Sequence, residues 1–550
     1  MRPDRSTTSG LQQSEPRVVG LVGTSGSGKT TLALKLIARW TADGYRVATI
    51  KHAHAGFEID HPGKDSMRHR EAGAKEVLIS SNVRMAHIRE NDPEANLDEL
   101  LDKVEAADII LVEGFKAGAQ PKLEIYREAN GKAPLIDAFP NIFAQASPGG
   151  DPDLNDISAI SELLLDRSIP RSAVRLEKIY LDHNATTPLS PDALRAMTKI
   201  YAYRWGNPGS VEHSNGRAAA EELLAARTRI ASCIGAQPEE LIFTSGATEA
   251  NNLAIQGCAL FRTEHESKTR IIVTAVEHKC VLEAAKHSGL EVNICSVRPN
   301  GDIDFDHLES LLGNDVAIIS VMLVNNETGV IQDMPRIARL AHLHDAKLHT
   351  DAAQALGKIE LDVEALGVDF LSLSAHKAYG PMGVGALYVR RRPRARLAPL
   401  FVGGGQERGL RSGTVPLPLA VGFSVAAQEA TALVESEHRR LSALQSWFEG
   451  QINARFPTAI IKNGAKARVA NTMNISFPDL EYTTLFAHVS ERFSISSGSA
   501  CSSADIEPSY VLKAMGFDDN TARSTLRIGM GRSTTRASLQ ALIHQLEALA

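Results

Sequence analysis

The chain is 550 residues long, with 43% hydrophobic and 23% charged residues and a formal net charge of −6 at pH 7. A chain of this length exceeds what one hydrophobic core normally organises, so two or three domains are expected. The mildly acidic balance disfavours direct binding to nucleic acid, and no apolar run approaches the length that spans a membrane.

The first 16 residues are polar and lack the apolar segment of a signal peptide, which predicts a disordered tail and a cytoplasmic protein. Five cysteines, one of them in a position typical of a reactive thiol, agree with a reducing compartment. The others show no metal-ligand spacing and are predicted to pack as small apolar residues: Cys233, Cys258, Cys280 and Cys295. For Cys280, two residues after His278, a role near a cofactor stays open.

Residues 23–30, GTSGSGKT, fit the P-loop pattern between a predicted buried strand at 17–22 and a predicted amphipathic helix at 31–40. In such a loop backbone N–H groups converge on phosphate oxygens, the lysine supplies charge and the threonine holds magnesium. A second buried strand at 108–115 ends near Glu113, which is suited to orient magnesium or a water. The predicted nucleotide site, with Thr30 as the magnesium ligand, comprises Gly23, Ser25, Gly26, Ser27, Gly28, Lys29, Thr30, Thr31 and Glu113.

Further motifs extend this region. They are IKHAH at 50–54, the run from Asp60 to Ser66 and VEGFK at 112–116, and with them residues 17–165 resemble the MobB family. The resemblance implies a GTP-binding adaptor with weak hydrolysis that works with a molybdopterin guanylyltransferase. Relatives commonly carry another histidine where Ala55 stands, so a role for the His52 and His54 cluster stays open. A small-molecule kinase is the competing interpretation of the P-loop.

Downstream, three segments carry chemistry in order. In KLHTDAAQ (347–354) Asp351 ends a strand, and a buried carboxylate there would keep a pyridinium nitrogen protonated. In LSLSAHKAYGP (371–381) a strand leads into Lys377; a buried lysine is costly unless paired or used chemically, as in a Schiff base. In SSGSACSS (496–503) Cys501 lies among residues typical of an exposed flexible loop, where a thiolate can form and move. This order predicts a pyridoxal-phosphate site with a reactive thiol.

From about residue 178 onward the chain resembles the NifS/IscS-type cysteine desulfurases, which are fold-type I pyridoxal-phosphate enzymes. Besides the three segments above, the resemblance rests on IYLDHNATTP (179–188), FTSGATE (243–249), EHK (277–279), NNETG (325–329) and RSGT (411–414). It implies a homodimer, because Thr414 would reach the phosphate of the neighbouring subunit.

The resemblance also implies roles for single residues. Lys377 would hold the cofactor and shuttle the Cα proton of L-cysteine, and His278 would stack on the ring and assist proton transfer. Cys501 would attack the substrate sulfur and carry it as a persulfide to acceptor proteins. The other implied cofactor-binding residues are Asp351, Gln354, Asn326, Thr248, Ala247, Ser374, His376 and Thr414, and the implied substrate-binding residues are Arg527 and Asn184. His183 and His213 lie in segments that approach the active site in the family.

The predicted fold class is α/β in both parts. Residues 17–165 are expected to form a P-loop NTPase-like parallel sheet, and the polar, proline-containing stretch 166–177 a linker. Residues 178–550 are expected to form a fold-type I transferase, with a large α/β domain of alternating elements over 241–388 and a small α+β domain. The small domain combines the start near Tyr180 with residues after about 430, including strands at 472–477 and 525–530 and a final helix at 539–549.

We therefore expect a cysteine desulfurase with pyridoxal phosphate, fused to an adaptor that binds GTP and magnesium. The fusion favours sulfur supply to molybdenum-cofactor maturation, since one chain raises the effective concentration of the two activities. Four alternatives stay open: a selenocysteine lyase, an aminotransferase that needs no thiol, a general iron–sulfur cluster sulfur donor, and a catalytically silent scaffold.

Overall fold

A computed structural model describes residues 15–52, 65–89, 97–116, 118–136, 139, 141–174, 178–462, 467–490, 492–497 and 507–549. Internal contacts divide the chain into two compact units, Met1–Glu177 and Lys178–Ala550. Cys501, His54 and the MobB-like residues 53–64 lie outside the described residues.

A parallel sheet forms the centre of the first unit, in the order β2-β5-β1-β6-β7, with β8 antiparallel to the start of β1. A separate antiparallel hairpin pairs β3 with β4. The strands are β1 (Arg17–Val22), β2 (Val47–Lys51), β3 (Glu76–Ser80), β4 (Met85–Arg89), β5 (Ile109–Glu113), β6 (Lys122–Ile125), β7 (Ile142–Ala146) and β8 (Ile169–Pro170). The helices are α1 (Lys29–Ala42), α2 (Asp65–Glu71), α3 (Leu97–Asp102), α4 (Ile157–Arg167), α5 (Arg171–Val174) and the 3-10 turn Glu128–Asn130.

Strand β1 is apolar on both faces because helices cover both faces of a parallel sheet. Val19 and Leu21 belong to one core cluster with α1 and α4, whereas Val18 belongs to a second cluster with α3 and with Val174 of α5. Residues 168–174, part of the predicted linker, therefore pack against the first unit as β8 and α5 instead of forming an irregular connection. These two elements are too short to leave a periodic pattern in the sequence, which is why the sequence does not predict them.

The second unit contains a seven-stranded sheet in the order β10-β16-β15-β14-β13-β11-β12. Only β16 is antiparallel to its neighbours, so the other strands end at the same edge. The strands of this sheet are β10 (Leu241–Thr244), β11 (Arg270–Thr274), β12 (Glu291–Cys295), β13 (Val316–Ser320), β14 (Lys347–Asp351), β15 (Phe370–Ser374) and β16 (Gly385–Val389). They follow β9 (Ile179–Tyr180) along the chain.

A smaller antiparallel sheet, β17-β18-β21-β20, follows, and β19 pairs with β9 in parallel. Its strands are β17 (Ile460–Ile461), β18 (Thr472–Ser476), β19 (Phe493–Ser494), β20 (Ser496–Ser497) and β21 (Thr525–Gly529). β18 and β21 correspond to the two strands that the sequence predicts in this region.

The helices of the second unit are α6 (Pro191–Tyr203), α7 (Ser214–Ser232), α8 (Ala247–Glu266), α9 (Lys279–Lys286), α10 (Phe305–Leu311), α11 (Met334–Leu343), α12 (Val363–Leu366), α13 (Leu417–Ala432), α14 (Val434–Arg455), α15 (Tyr482–Ser490), α16 (Tyr510–Ala514), α17 (Asp519–Arg523) and α18 (Arg536–Glu547). Three 3-10 turns lie at Pro238–Glu240, Ala375–Lys377 and Glu407–Gly409. No single described helix is long and apolar enough to cross a membrane; α13 and α14 reach that length and composition only as a pair bent by 63°.

Candidate functional site

One edge of the seven-stranded sheet gathers the residues that the sequence predicts for a cofactor. Because β10, β14 and β15 run in the same direction, their C-terminal ends lie side by side. Asp351 ends β14, Ser374 ends β15, and Lys377 closes the 3-10 turn that follows β15. At the end of β10 the chain enters α8, whose first turn contains Ala247 and Thr248. Open α/β sheets bind ligands at this edge.

Asp351 is held as a buried carboxylate, with 5% of its surface exposed. Its Oδ2 accepts a hydrogen bond from Nδ2 of Asn251 at 2.7 Å, and its Oδ1 accepts from the backbone N–H of Ala353 at 2.9 Å. Both donors fix the orientation of the carboxyl group. Asp351 is therefore suited to pair with a protonated ring nitrogen.

The amine of Lys377 lies next to the backbone of Asn184. Its Nζ donates to the Asn184 carbonyl oxygen at 3.1 Å, and Nε2 of Gln354 donates to the same oxygen at 2.8 Å. Burial lowers the pKa of Lys377, while the nearby Asp351 carboxylate acts in the opposite direction. A lysine with a lowered pKa has a larger fraction of neutral amine, which is the form that attacks a carbonyl.

Asn184 is itself fixed from three directions. Its Nδ2 donates to Oγ1 of Thr472 at 2.8 Å and to the carbonyl oxygen of Asn326 at 3.1 Å. Its Oδ1 accepts from Nδ2 of Asn471 at 3.0 Å. The Oδ1 atom of Asn326 is buried without a hydrogen-bond partner, so this side chain can still bind a ligand.

The N-terminus of α8 has the character of an anion site. Gly246 caps the helix without a side-chain hydrogen bond, so its first backbone N–H groups remain available to a phosphate. His376 contacts Oγ1 of Thr186 through Nδ1 at 3.1 Å, and burial lowers the pKa of His376 to about 4, which keeps the ring neutral. The uncapped helix, the buried carboxylate of Asp351 and the amine of Lys377 fit pyridoxal phosphate.

His278 caps α9 at the same edge. Its Nδ1 accepts from the backbone N–H of Cys280 at 3.2 Å and lies 3.0 Å from the Cys280 Sγ. Desolvation lowers the pKa of His278, against the opposing effect of Asp351. Because Nδ1 accepts the Cys280 N–H, the neutral ring carries its proton on Nε2. Burial raises the pKa of the Cys280 thiol to about 11, which leaves it protonated.

Arg527 lies on β21, buried and already paired. Its NH2 group donates to Oδ1 of Asp182 at 2.8 Å and to Oγ of Ser496 at 3.0 Å. Ser496 in turn donates to Oδ2 of Asp182 at 2.8 Å. A substrate carboxylate bound by Arg527 would therefore share the guanidinium with Asp182. The sequence does not predict this contact, although Asp182 lies within the motif at 179–188.

Of the remaining predicted residues, His183 lines the same cavity as Lys377. Thr414 is exposed on the single chain. His213 caps α7 by accepting from the N–H of Gly216 at 3.1 Å, and His183 is buried with its ring 4.9 Å from that of Tyr180. Cys501 lies outside the described residues, as do residues 498–506 around it.

Three of the four remaining cysteines are buried in apolar clusters, as predicted: Cys233, Cys258 and Cys295. No group of three or more potential metal-ligating side chains occurs in the part of the chain that the structure describes.

The first unit carries a second anion site at the start of α1. Gly28 caps this helix without a side-chain hydrogen bond, in the left-handed conformation at φ 99° that favours glycine. Nζ of Lys29 donates to the carbonyl oxygens of Gly23 and Thr24 at 2.9 and 2.8 Å. Burial lowers the pKa of Lys29, while Glu113 acts to raise it.

Thr30 and Glu113 meet beside this loop. The hydroxyl of Thr30 donates to Oε1 of Glu113 at 2.9 Å, and Nζ of Lys51 lies 3.7 Å from the same oxygen. The loop borders a cavity of about 490 Å³ that is also lined by Lys116 and Lys132. Hydroxyl and carboxylate oxygens are ligands that magnesium prefers, and the surrounding lysines match a polyphosphate, so the residues fit a magnesium nucleotide.

Two family models match the chain. Aminotransferase class-V covers residues 179–542, and Molybdopterin guanine dinucleotide synthesis protein B covers residues 18–148. The second unit is 42% identical over 360 residues to "Cysteine desulfurase IscS" of Rickettsia felis, an alignment that covers 65% of this chain and 87% of the relative. It is 45% identical to "Cysteine desulfurase, mitochondrial" of Drosophila melanogaster, with 65% of this chain and 77% of the relative covered.

Solved structures agree with this match. A "NIFS-LIKE PROTEIN" superposes with a TM-score of 0.62 at 33% identity and covers 68% of this chain and 98% of its own. "SspA in complex with cysteine" superposes with a TM-score of 0.56 at 38% identity, covering 64% and 98%. The predicted fold classes and both predicted resemblances are confirmed.

Proposed function

The chain belongs to the aminotransferase class-V family through residues 179–542 and carries a MobB-family domain before them, and from this premise we propose that it is a pyridoxal-phosphate-dependent cysteine desulfurase fused to a GTP-binding adaptor. The observation that carries the proposal is the convergence of Lys377, Asp351 and the uncapped start of α8 at one sheet edge. The named relatives support the choice of cysteine as substrate.

The chemistry divides between the cofactor and the protein. Bound pyridoxal phosphate supplies an electron sink for charge that develops at the substrate Cα. Asp351 would hold the ring nitrogen protonated, Gln354 and Asn326 would bind the ring oxygen, and the first turn of α8 would bind the phosphate with Ser374 and His376. Lys377 would remove and return the Cα proton, which suits an amine whose pKa is lowered by burial.

Arg527 orients the substrate through its carboxylate. The planar guanidinium binds a carboxylate with two parallel hydrogen bonds, and its Nε has no partner among the described atoms. Asp182 and Ser496 hold the guanidinium in place through NH2, so Nε is the donor that would be left for the substrate. Because Nδ1 of His278 accepts a backbone N–H, its Nε2–H would be the donor toward the bound cofactor.

Cys501 performs the step that distinguishes a desulfurase from an aminotransferase. Its thiolate forms a new S–S bond with the substrate sulfur as the substrate Cβ–S bond breaks. The protein gains a persulfide, the former Cβ gains a proton, and L-alanine leaves, so that one L-cysteine and one thiol give one L-alanine and one persulfide.

The test uses the full chain loaded with cofactor and supplied with sulfur-labelled L-cysteine. We expect equal amounts of alanine and protein-bound, reductant-labile label, and Cys501→Ala to abolish both. Cys280→Ala is the matched control. It should keep alanine formation and labelling, since the Cys280 thiol is protonated and hydrogen-bonded to His278. Alanine formation or transamination that survives Cys501→Ala would refute the proposal in favour of an aminotransferase.

A selenocysteine lyase is the second candidate, because it shares the fold and cofactor. Comparing kcat/KM for L-cysteine and L-selenocysteine on the same preparation distinguishes the two. A lyase for selenocysteine would release selenium without labelling Cys501 from L-cysteine.

We further propose that the MobB-family unit binds GTP with magnesium and works with a molybdopterin guanylyltransferase, and that the persulfide supplies sulfur to molybdenum-cofactor maturation. The fusion of the two family domains in one chain supports this. The exposed Thr414 supports a homodimer, in which it would complete the partner's phosphate site.

Tracing labelled sulfur in an extract tests the acceptor. Label on molybdopterin-binding proteins is the expected outcome. Label mainly on iron–sulfur scaffolds would identify a general sulfur donor and refute the molybdenum role.

A further inference from the structure

A second lysine, Lys358, lies beside Lys377. Nζ of Lys358 donates to Oε1 of Gln354, and none of the ion pairs found among the described residues involves Lys358. Lys358 and Lys377 line the same cavity of about 40 Å³, together with His183, Arg532 and Glu437, whose carboxylate pairs with Arg440. Keeping an unpaired ammonium away from solvent is costly, and a neutral residue would fill the position at lower cost.

The contact fixes the orientation of the Gln354 amide. A protonated lysine side chain is only a donor, and the backbone carbonyl of Asn184 is only an acceptor. Because Lys358 donates to Oε1 and the Asn184 oxygen accepts from Nε2, both neighbours require the same orientation of the amide. The NH2 group of Gln354 therefore faces the Lys377 side of the site, and its second hydrogen remains for a ligand.

We propose that Lys358 is a positioning residue, which holds the Gln354 amide so that its NH2 group donates to the ring oxygen of the cofactor. This inference rests on the proposed desulfurase function. Donation from Lys358 polarises the amide and strengthens its N–H groups as donors. Both effects stabilise the deprotonated ring oxygen. They therefore lower the proton affinity at the link between the cofactor and Lys377.

Several other charged groups act on the same position. The groups that act on the Lys377 amine are Asp351 at the end of β14, Arg527 on β21, Asp182 after β9 and the Cys280 thiol of α9. Burial, with smaller contributions from Lys377 and Arg527, lowers the pKa of Lys358 to about 7. The neighbouring rings of His183 and His376 have pKa values lowered by burial to about 4 and remain neutral near pH 7.

The test is a pH titration of the absorbance of the bound cofactor, measured on the full-length holoenzyme without substrate. Lys358→Met removes the donor that fixes the Gln354 amide, and it should raise the titration midpoint by about one pH unit, which corresponds to the loss of one hydrogen bond to the ring oxygen. Lys358→Arg keeps a donor-only cation and should return most of the shift. An unshifted midpoint in Lys358→Met overturns the proposal.

Lys462 provides a matched control. It is also buried, with 6% exposed, and burial lowers its pKa to about 7, but its Nζ contacts Ser476 in the smaller sheet. Lys462→Met should leave the midpoint unmoved. An equal shift in this variant would mean that Lys358 acts only through general stability, which also overturns the proposal.

Combining Lys358→Met with Gln354→Ala tests the route of the effect. If Lys358 acts through the amide, it adds little to the shift that Gln354→Ala causes alone; an additive shift overturns the proposal. If Lys358→Met does not fold, Lys358→Gln replaces it with the same expected direction, because an amide does not fix the orientation of Gln354. A wild-type protein that shows no cofactor absorbance would instead refute the proposed function.

Discussion

Both units have a candidate phosphate site at the N-terminus of a helix, but the lysine near that site has a different role in each. In each, a glycine without a side-chain cap begins a helix that follows a strand: Gly28 before α1 and Gly246 before α8. Lys29 bonds two loop carbonyls at the border of a cavity of about 490 Å³. Lys377 donates to one carbonyl next to a cavity of about 40 Å³.

The difference shows how solvent access assigns chemistry to a lysine. An ammonium that borders a large cavity and donates to two carbonyl oxygens is suited to serve as a fixed counter-ion for phosphate. A lysine enclosed by neutral rings and other cations loses its proton more readily and becomes a nucleophile and base. Residue type and helix geometry are common to both sites, so the packing around the amine determines its role.

The largest effect should come from removing the enclosed amine. Lys377→Ala should lower the desulfuration kcat by at least about 10³-fold, because both cofactor attachment and proton transfer are lost. It should also abolish the covalent linkage detected after reduction with borohydride. Lys377→Arg keeps the charge and should fail equally; activity in the arginine variant would mean that Lys377 acts only as a charge, like Lys29.

A smaller effect is expected from the accessible amine. Lys29→Ala should weaken binding of GTP by about 10- to 100-fold, the value of one or two charge-assisted hydrogen bonds, measured by calorimetry with magnesium present. Lys29→Arg should retain part of the affinity because the charge remains. Thr30→Ala should reduce the dependence on magnesium more than the affinity without it.

These variants should leave desulfuration unchanged if the two sites are independent. A fall in kcat for alanine formation would instead show coupling between nucleotide binding and the second unit. Unchanged GTP affinity in Lys29→Ala would contradict the assignment of the P-loop site itself.

The sequence predicted the parts of the second site that follow strand ends. Asp351 and Ser374 each end a buried strand and Lys377 closes the turn after one, and parallel strands bring such ends together. Lys29 and Thr30 were predictable for a similar reason, since the spacing of glycines around them is local. A local pattern thus sufficed wherever one strand and its following turn position the side chain.

The supporting contacts left no such pattern. Asn251 holds Asp351 from α8, and Asn471 and Thr472 hold Asn184 from the smaller sheet, each across long stretches of chain. The pairing of Asp182 with Arg527 joins the first strand of the unit to one of its last. Such contacts depend on how the sheets pack, which the periodicity of the sequence does not encode. Lys358 belongs to no recognisable motif, so its contact with Gln354 could not be predicted.

The last prediction is of stability instead of activity, and it concerns the enclosed character of the second site. Glu327 is 4% exposed and accepts from the Ser509 hydroxyl at 2.5 Å through Oε2. Burial raises its pKa from the usual 4.5 to about 7, against the opposing effect of that hydrogen bond. Between these values the folded state holds a proton that the unfolded chain has lost, so stability falls as pH rises through this window, by roughly 3 kcal/mol in total.

Glu327→Gln should therefore flatten the decline in the unfolding free energy between about pH 5 and pH 8 and stabilise the protein above pH 7 by a few kcal/mol at most. Glu277, whose pKa burial raises to about 8, contributes in the same direction and should leave a residual slope in the variant. The measurement is the unfolding free energy of the second unit, obtained from urea denaturation at several pH values. Glu435→Gln is the control, since that side chain is 85% exposed and should leave the slope unchanged. A slope as steep in Glu327→Gln as in the wild type would mean that water reaches this carboxylate, and that the second site is no more enclosed than the P-loop.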